Sequence, residues 1–105
     1  MNGKRINERE RMAQMSYLFK MMGDETRLRI LTALHEAPLC VTHICARVEM
    51  SQSAVSHQLA LLRRADLVRV TRKGKQVVYS LSDEHVRLML DMVELHVGEE
   101  HNHEA

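Results

Sequence analysis

Four side chains near the carboxyl end of this 105-residue sequence have the types and the spacing of metal ligands. Asp83, His85, His96 and Glu99 follow a D-x-H-x10-H-x2-E pattern. On one helix the two histidines share a face but lie ~16 Å apart along the axis, whereas a zinc–nitrogen bond is only about 2 Å long. A second, antiparallel copy of the helix would bring Asp83 and His85 of one chain to His96 and Glu99 of the other. The pattern therefore predicts a four-coordinate zinc site that twofold symmetry forms twice, with two ions per homodimer.

The helix that carries these residues, predicted over 83–99, is apolar on more of its surface than one core requires. Its apolar arc is roughly 220° wide, whereas a helix packed on a single core shows a stripe of ~100°. Only Arg87, Asp91, Glu94 and Gly98 form a polar strip. We therefore expect this helix to pack on its own domain with one side and on a second subunit with the other.

Apolar periodicity divides the rest of the chain into four helices and a hairpin. The spacing changes from helical to alternating after Asp66, and Lys73-Gly74-Lys75 forms the tip of the hairpin. This order predicts a mainly α fold with a β-hairpin wing, a winged helix-turn-helix, in a single domain of residues 1–105. The predicted segments are a dimerisation helix at 6–22, the helix-turn-helix at 41–66, the wing at 68–81, the metal-binding dimerisation helix at 83–99 and a flexible tail at 100–105.

Residues 51–81 contain six basic side chains and one acidic side chain, although the whole chain has a net charge of only +1. In a helix-turn-helix the second helix enters the major groove of double-stranded DNA, and its first residues meet base edges. Basic residues that follow would meet phosphates. Two solvated faces of opposite charge, with serines that only cap a helix, would also fit this pattern. The candidate DNA-binding residues are Gln52, Ser53, Ser56, His57, Arg63, Arg64, Arg72, Lys73 and Lys75.

Three stretches, GDETRLRILTAL, PLCVTHI and SQSAVSHQLALLRRADLVRVTRKGKQVVYSL, resemble the ArsR/SmtB family of bacterial winged-helix repressors. The resemblance runs from about Gly23 to Glu99. It implies a dimer that binds a palindromic operator without metal and leaves it when metal binds, which derepresses metal efflux or detoxification genes. It assigns the motif of the last helix to sensors of Zn(II), and in related forms of Co(II) or Ni(II), and Glu99 matches a zinc-sensing variant. It also implies that His96 hydrogen-bonds the backbone near Asp66.

Some members of this family bind thiophilic metals near the third helix. Cys40 and His43 occupy two of the positions concerned, so they are possible extra ligands. Residues 1–34 contain no cysteine or histidine that could complete such a site. His101 and His103 in the tail are further possible ligands.

Two other residues that could in principle bind metal, Cys45 and His35, have simpler interpretations. Cys45 lies ~140° around the helix from Cys40, so we expect it to fill the core. His35 has no partner that the sequence identifies, and we expect it at the surface.

Length and composition exclude several classes of protein. A chain of 105 residues with 45% hydrophobic residues forms one domain and is too short for a doubly wound enzyme. No apolar run approaches the ~20 residues of a membrane span, and two cysteines indicate a reduced, cytoplasmic protein rather than a disulfide framework. A catalytic zinc keeps an open position, so four ligands at a dimer interface argue against an enzyme. Two alternatives stay open: a winged helix that does not bind DNA, and a sensor of Ni(II), Co(II), a thiophilic metal or a redox signal through Cys40.

Overall fold

The structure, a computed structural model, describes residues 5–98. In this part of the chain five helices and one antiparallel hairpin follow each other in the order that the sequence predicted. Across residues 5–98, no helix combines the length and the apolar character that a bilayer crossing requires. The elements are α1 (Glu8–Met22), α2 (Glu25–Glu36), α3 (Val41–Val48), α4 (Gln52–Arg64), β1 (Val68–Lys73), β2 (Gln76–Leu81) and α5 (Glu84–Gly98).

Side-chain caps set where the first, second and fourth helices begin. Asn7 and Glu10 form a capping box, in which each side chain accepts a hydrogen bond from the backbone N–H of the other residue. Asp24 and Ser51 each accept one from the third residue of the helix that follows. Such a cap contributes about 1 kcal/mol, because it satisfies a backbone donor that has no partner inside the helix.

The β-hairpin of β1 and β2 has one buried and one exposed end. At its base Val68 pairs with Leu81, and both are buried; at its tip Lys73 pairs with Gln76. Gly74 has a φ of 64°, a left-handed conformation that glycine adopts without steric cost. The hairpin therefore projects from the core and carries its basic tip into solvent.

Helix α2 lies at the centre of the core and contacts the other four helices and β2. Its Ile30, Leu31 and Leu34 are almost completely buried. Burial of one such side chain contributes about 1.5–3 kcal/mol to the free energy of folding. The other fully buried residues are Ile44 of α3, Val55, Leu59 and Leu62 of α4, and Leu67.

Helix α5 is held against α2 by both apolar and polar contacts. Val86 and Leu90 are buried in the core. The guanidinium of Arg87 donates a hydrogen bond of 2.7 Å to the carbonyl of His35, at the end of α2. The His35 Nε2 and the Asp91 Oδ1 lie 2.6 Å apart. The sequence identified no partner for His35 and placed it at the surface, whereas the structure half-buries it and pairs it with Asp91, because the polar strip of α5 packs on the C-terminal turn of α2.

Candidate functional site

Helix α4 presents a polar face to solvent and an apolar face to the core. Its apolar side is buried, whereas the four candidate base-contacting residues are exposed in its first two turns. The Ser51 hydroxyl caps the helix and lies 3.4 Å from the hydroxyl of Ser53. Short donors and acceptors are therefore displayed where a recognition helix meets base edges. These residues are Gln52, Ser53, Ser56 and His57.

The turn between α3 and α4 sets the direction of this face. Glu49 ends α3 with a φ of 57°, and the N–H of Met50 donates to the Cys45 carbonyl. Ile44 and Val48 of α3 are buried in the same core cluster as α4. Helix α4 is thus held on one side by α3, as the second helix of a helix-turn-helix is.

The remaining candidate DNA-binding residues extend this polar face with positive charge. Arg63 and Arg64 lie exposed in the last turn of α4, and the three candidate phosphate-binding residues of the wing are exposed as well. Exposed guanidinium and ammonium groups suit phosphate oxygens, because on binding they release the counterions condensed around the DNA. The wing residues are Arg72, Lys73 and Lys75.

Two candidate metal ligands lie together at the N-terminus of α5. Asp83 Oδ1 accepts a hydrogen bond of 3.1 Å from the N–H of Val86 and so caps the helix. Its other oxygen lies 3.7 Å from Nδ1 of His85, whose side chain is 88% exposed. A hard carboxylate oxygen and an imidazole nitrogen are therefore available to one cation, and they form a pair that zinc accepts.

His96 lies in the last turn of α5, eleven residues after His85. Within residues 5–98, no three His, Cys, Asp or Glu side chains are grouped so that they could hold a metal ion. The structure thus brings Asp83 and His85 together and leaves His96 at the opposite end of the helix. Glu99, His101 and His103 lie outside the described residues.

The outer faces of α1 and α5 are apolar and exposed in the single chain. The side chain of Phe19 on α1 is 62% exposed and that of Val97 on α5 is 69% exposed. Single exposed apolar side chains are ordinary, but two helices that expose several each indicate an interaction surface. The other large members are Met12, Met15 and Tyr17 of α1 and Leu88, Met92, Val93 and Leu95 of α5.

A short polar connection joins the start of α5 to the end of α4. The Ser82 hydroxyl donates a hydrogen bond of 2.7 Å to the carbonyl of Asp66, and the Ser82 N–H donates one to the Leu67 carbonyl. Asp66 has a φ of 60°, which makes it a left-handed residue two positions after the end of α4. The residue next to Asp83 therefore contacts the turn that ends α4.

The cysteines occupy two different environments. Cys45 packs against the core, as the sequence predicted. Cys40 precedes α3, and its sulfur lies 3.2 Å from the Thr42 hydroxyl. This hydrogen bond, together with the His43 backbone N–H, lowers the pKa of the Cys40 thiol below its usual value. The side chain of His43 is exposed one turn into α3.

Sequence reasoning missed two side-chain pairs between distant segments. Beside the His35–Asp91 pair, Arg27 Nη1 donates a hydrogen bond of 3.2 Å to Oε1 of Gln58. The only sequence signal for Gln58 was its place on α4 beside the candidate base-contacting residues. Neither contact follows from local periodicity, because the partners are 56 and 31 residues apart.

Comparison with known proteins identifies the family. Residues 24–70 match the model of the bacterial regulatory proteins of the arsR family. The cadmium resistance transcriptional regulatory protein CadC homolog of Staphylococcus aureus is 37% identical over 78% of this chain and 69% of its own length. The chain belongs to the ArsR family.

Two further relatives extend the match. The transcriptional repressor SmtB homolog of a Synechocystis strain is 43% identical over 82% of this chain. The HTH-type transcriptional regulator NmtR of Mycobacterium tuberculosis is 44% identical over 87% of it. The matched parts span 65% and 74% of the lengths of these two regulators. All three relatives are named as regulators of transcription, so the comparisons agree with a regulator and not with an enzyme.

The solved structures agree with the fold. The solution structure of apo-NmtR superposes with a TM-score of 0.80 and 36% identity, over 100% of this chain and 88% of that chain. The homodimeric winged helix-turn-helix DNA-binding domain Mb0332 from Mycobacterium bovis superposes with a TM-score of 0.82 at 24% identity, over 99% of this chain and 100% of that chain, and this confirms the predicted winged helix-turn-helix fold.

Proposed function

We propose that this ArsR-family protein is a homodimeric transcriptional repressor that binds a palindromic operator and loses affinity for it when Zn(II) binds. The observation that carries the proposal is the arrangement of α5. This helix holds Asp83 and His85 at one end and His96 at the other, and it exposes an apolar face between them. An antiparallel partner helix would cover that face and complete two symmetric sites.

The donor set fits a zinc ion. Asp83 and His85 of one subunit would hold it together with His96 and Glu99 of the other, and the ion would supply four bonds that cross-link the two helices. Within each chain, Asp83 keeps its capping hydrogen bond through Oδ1 and leaves Oδ2 free to bind. The similarity to a cadmium resistance regulator supports a metal as the effector.

The same dimer would place two copies of α4 in successive major grooves. Gln52, Ser53, Ser56 and His57 would meet base edges, while the basic residues at the end of α4 and on the wing would hold phosphates. Loss of affinity on metal binding requires that α5 influence α4. The contact between Ser82 and the Asp66 carbonyl supports such an influence, since it joins the segment before α5 to the turn after α4.

A metal titration of DNA binding tests the proposal. The probe is a selected duplex, defined as one that the wild-type protein enriches from a random-sequence library. Zinc should lower the affinity of the wild-type protein by about 5–150-fold, the usual range of allosteric coupling. His96→Asn should bind the duplex as the wild type does without metal and should keep that affinity when zinc is added.

The matched control is Glu94→Gln, which removes an exposed carboxylate from the polar strip of α5, outside the proposed ligand set, and should leave the zinc response unchanged. Release of DNA by zinc from the His96→Asn protein would refute the proposed site. Parallel titrations with Ni(II), Co(II) and Cd(II) establish which metal acts at the lowest concentration.

A second candidate is a sensor of thiophilic metals or oxidants through Cys40. The lowered pKa of this thiol favours it, because the thiolate is the form that binds metal and reacts. A Cys40→Ser protein that no longer responds to Cd(II) or peroxide, and still responds to zinc, would support this second activity. An unchanged response of Cys40→Ser to Cd(II), peroxide and zinc would eliminate this second activity.

A further inference from the structure

One guanidinium joins three helices near the centre of the molecule. Arg27 lies in the first turn of α2, partly buried. Its Nε donates a hydrogen bond of 2.8 Å to the carbonyl of Met21, in the last turn of α1. Its Nη1 donates to Oε1 of Gln58, in the middle of α4, at 3.2 Å. The guanidinium therefore contacts α1, which exposes an apolar face, and α4, which exposes a polar face, at the same time.

The geometry of the guanidinium makes this contact directional. Its donors form a rigid, planar fork, so the positions of the Met21 carbonyl and the Gln58 amide are fixed relative to each other. The remaining contacts of α4 with the core are apolar, through Val55, Leu59 and Leu62. Apolar burial is not directional, so it holds α4 against the core but permits small rotations about the helix axis.

Gln58 lies beside the surface that would read DNA. It directly follows His57 and is partly buried, whereas Ser56 and His57 are exposed. A hydrogen bond to a base edge requires good alignment, so a small rotation of α4 would misplace these side chains. A fixed Gln58 therefore fixes the direction in which its neighbours point.

We propose that Arg27 and Gln58 form a positioning pair that ties α4 to the C-terminal turn of α1 and so sets how the recognition helix meets its operator. The inference rests on the proposed DNA-binding function and is independent of the metal site. Arg27 and Gln58 act through the side chains that they orient, without touching DNA themselves. Sequence-specific binding depends on the pair, and non-specific attraction to phosphates does not.

Two substitutions at Gln58 separate positioning from direct contact. Gln58→Met keeps the length of the side chain and a similar helix propensity but removes the acceptor. It should lower affinity for the selected duplex by about tenfold, the effect expected when about one base contact is misaligned. Affinity for a scrambled duplex of the same composition should stay unchanged. Gln58→Glu keeps an acceptor for Arg27 and should restore the preference for the selected duplex.

Two outcomes of this experiment would overturn the inference. The first is a Gln58→Met protein with the wild-type preference between the two duplexes. The second is a Gln58→Glu protein that binds both duplexes more weakly than Gln58→Met does, because a carboxylate that repels phosphates would show that residue 58 faces DNA directly. Failure of the wild-type protein to enrich any sequence would instead refute the proposed DNA-binding function, before any variant is compared.

The other half of the pair is tested with Arg27→Met and the double variant. Arg27→Met should reduce the preference for the selected duplex, and Gln58→Met should add nothing in that background, as in a double-mutant cycle of contacting residues. The matched control is Arg29→Met, since Arg29 is an exposed residue of α2 whose guanidinium pairs with Glu25 at 3.0 Å. It should leave the preference unchanged.

A measurement without DNA tests the pair itself. Amide hydrogen exchange in the middle of α4 should be faster in Gln58→Met and Arg27→Met than in the wild type, because the helix loses a fixed tether to α2. Arg29→Met should exchange at the wild-type rate. Exchange in α4 that is the same in all four proteins would overturn the inference whatever the DNA measurements give.

Discussion

At the scale of residues, single polar side chains near the start of α5 each contact more than one group. Asp83 caps α5 with one carboxylate oxygen and directs the other towards His85. Arg87 donates to the carbonyl of His35 and so satisfies a group at the end of α2 that has no partner within its own helix. Local backbone chemistry and long-range contacts therefore depend on the same residues.

The environment of Cys40 gives a testable reactivity. The Thr42 hydroxyl lowers the pKa of this thiol, so the thiolate fraction at neutral pH is larger than for an ordinary cysteine. Thr42→Ala should raise the pKa, slow alkylation of Cys40 by iodoacetamide at pH 7 and move the midpoint of the rate–pH curve to higher pH. The control Thr32→Ala alters an exposed threonine of α2. Equal midpoints in wild type and Thr42→Ala would contradict the assignment.

The sequence predicts the role of a residue best when that role depends on its neighbours along the chain. Asp24 and Ser51 are recognisable as caps because a cap bonds three residues ahead, within the local pattern. The partner of His35 is not recognisable, because Asp91 is 56 residues away and reaches it only after α5 packs on α2. Asp83 and His85 could be paired from their spacing, whereas their distance from His96 followed from helix geometry alone.

At the scale of elements, α5 buries some of its apolar residues in the core and exposes others on its outer face. Leu90 is 8% exposed and packs in the core, whereas Leu95 is 59% exposed on the outer face. The wide apolar arc predicted this division, but the sequence did not show which flank faces the domain. The fold determines it, because the bonds of Arg87 and Asp91 to His35 turn their side of α5 towards α2.

Two matched leucine truncations test this division. Leu90→Ala should lower the free energy of unfolding by about 2–5 kcal/mol, as for other buried leucines. Leu95→Ala should weaken self-association by about tenfold, because it removes apolar area from the proposed interface. Thermal unfolding and sedimentation equilibrium measure the two effects. A Leu95→Ala protein that associates as tightly as the wild type would place the interface elsewhere.

At the scale of the whole molecule, charge is separated along the chain. The basic side chains of residues 51–81 lie on α4 and the wing, whereas residues 82–105 contain seven acidic side chains and one basic one. The near-neutral net charge conceals this separation. The proposed DNA-binding surface and the helix of the proposed metal site are thus distinct regions, and the Ser82–Asp66 contact lies between them.

The wing should contribute to DNA affinity through phosphates and not through sequence. The slope of log K against log salt concentration decreases by about 0.9 for each phosphate that the protein no longer neutralises. Lys73→Gln combined with Lys75→Gln should therefore reduce the slope by about two per wing that touches DNA, equally for selected and scrambled duplexes. Lys20→Gln on α1 serves as the control. A slope unchanged by the wing substitutions would exclude the wing from the interface.

The most direct test of the account is a metal titration of a mixed dimer in which one subunit carries His85→Ala and the other carries His96→Ala. If each site draws ligands from both subunits, both substitutions fall in one site and the other keeps all four ligands. The account predicts that the mixed dimer binds one zinc ion with wild-type affinity, while neither homodimer of the variants does. A mixed dimer that binds zinc no better than those homodimers would contradict a metal site shared between two α5 helices.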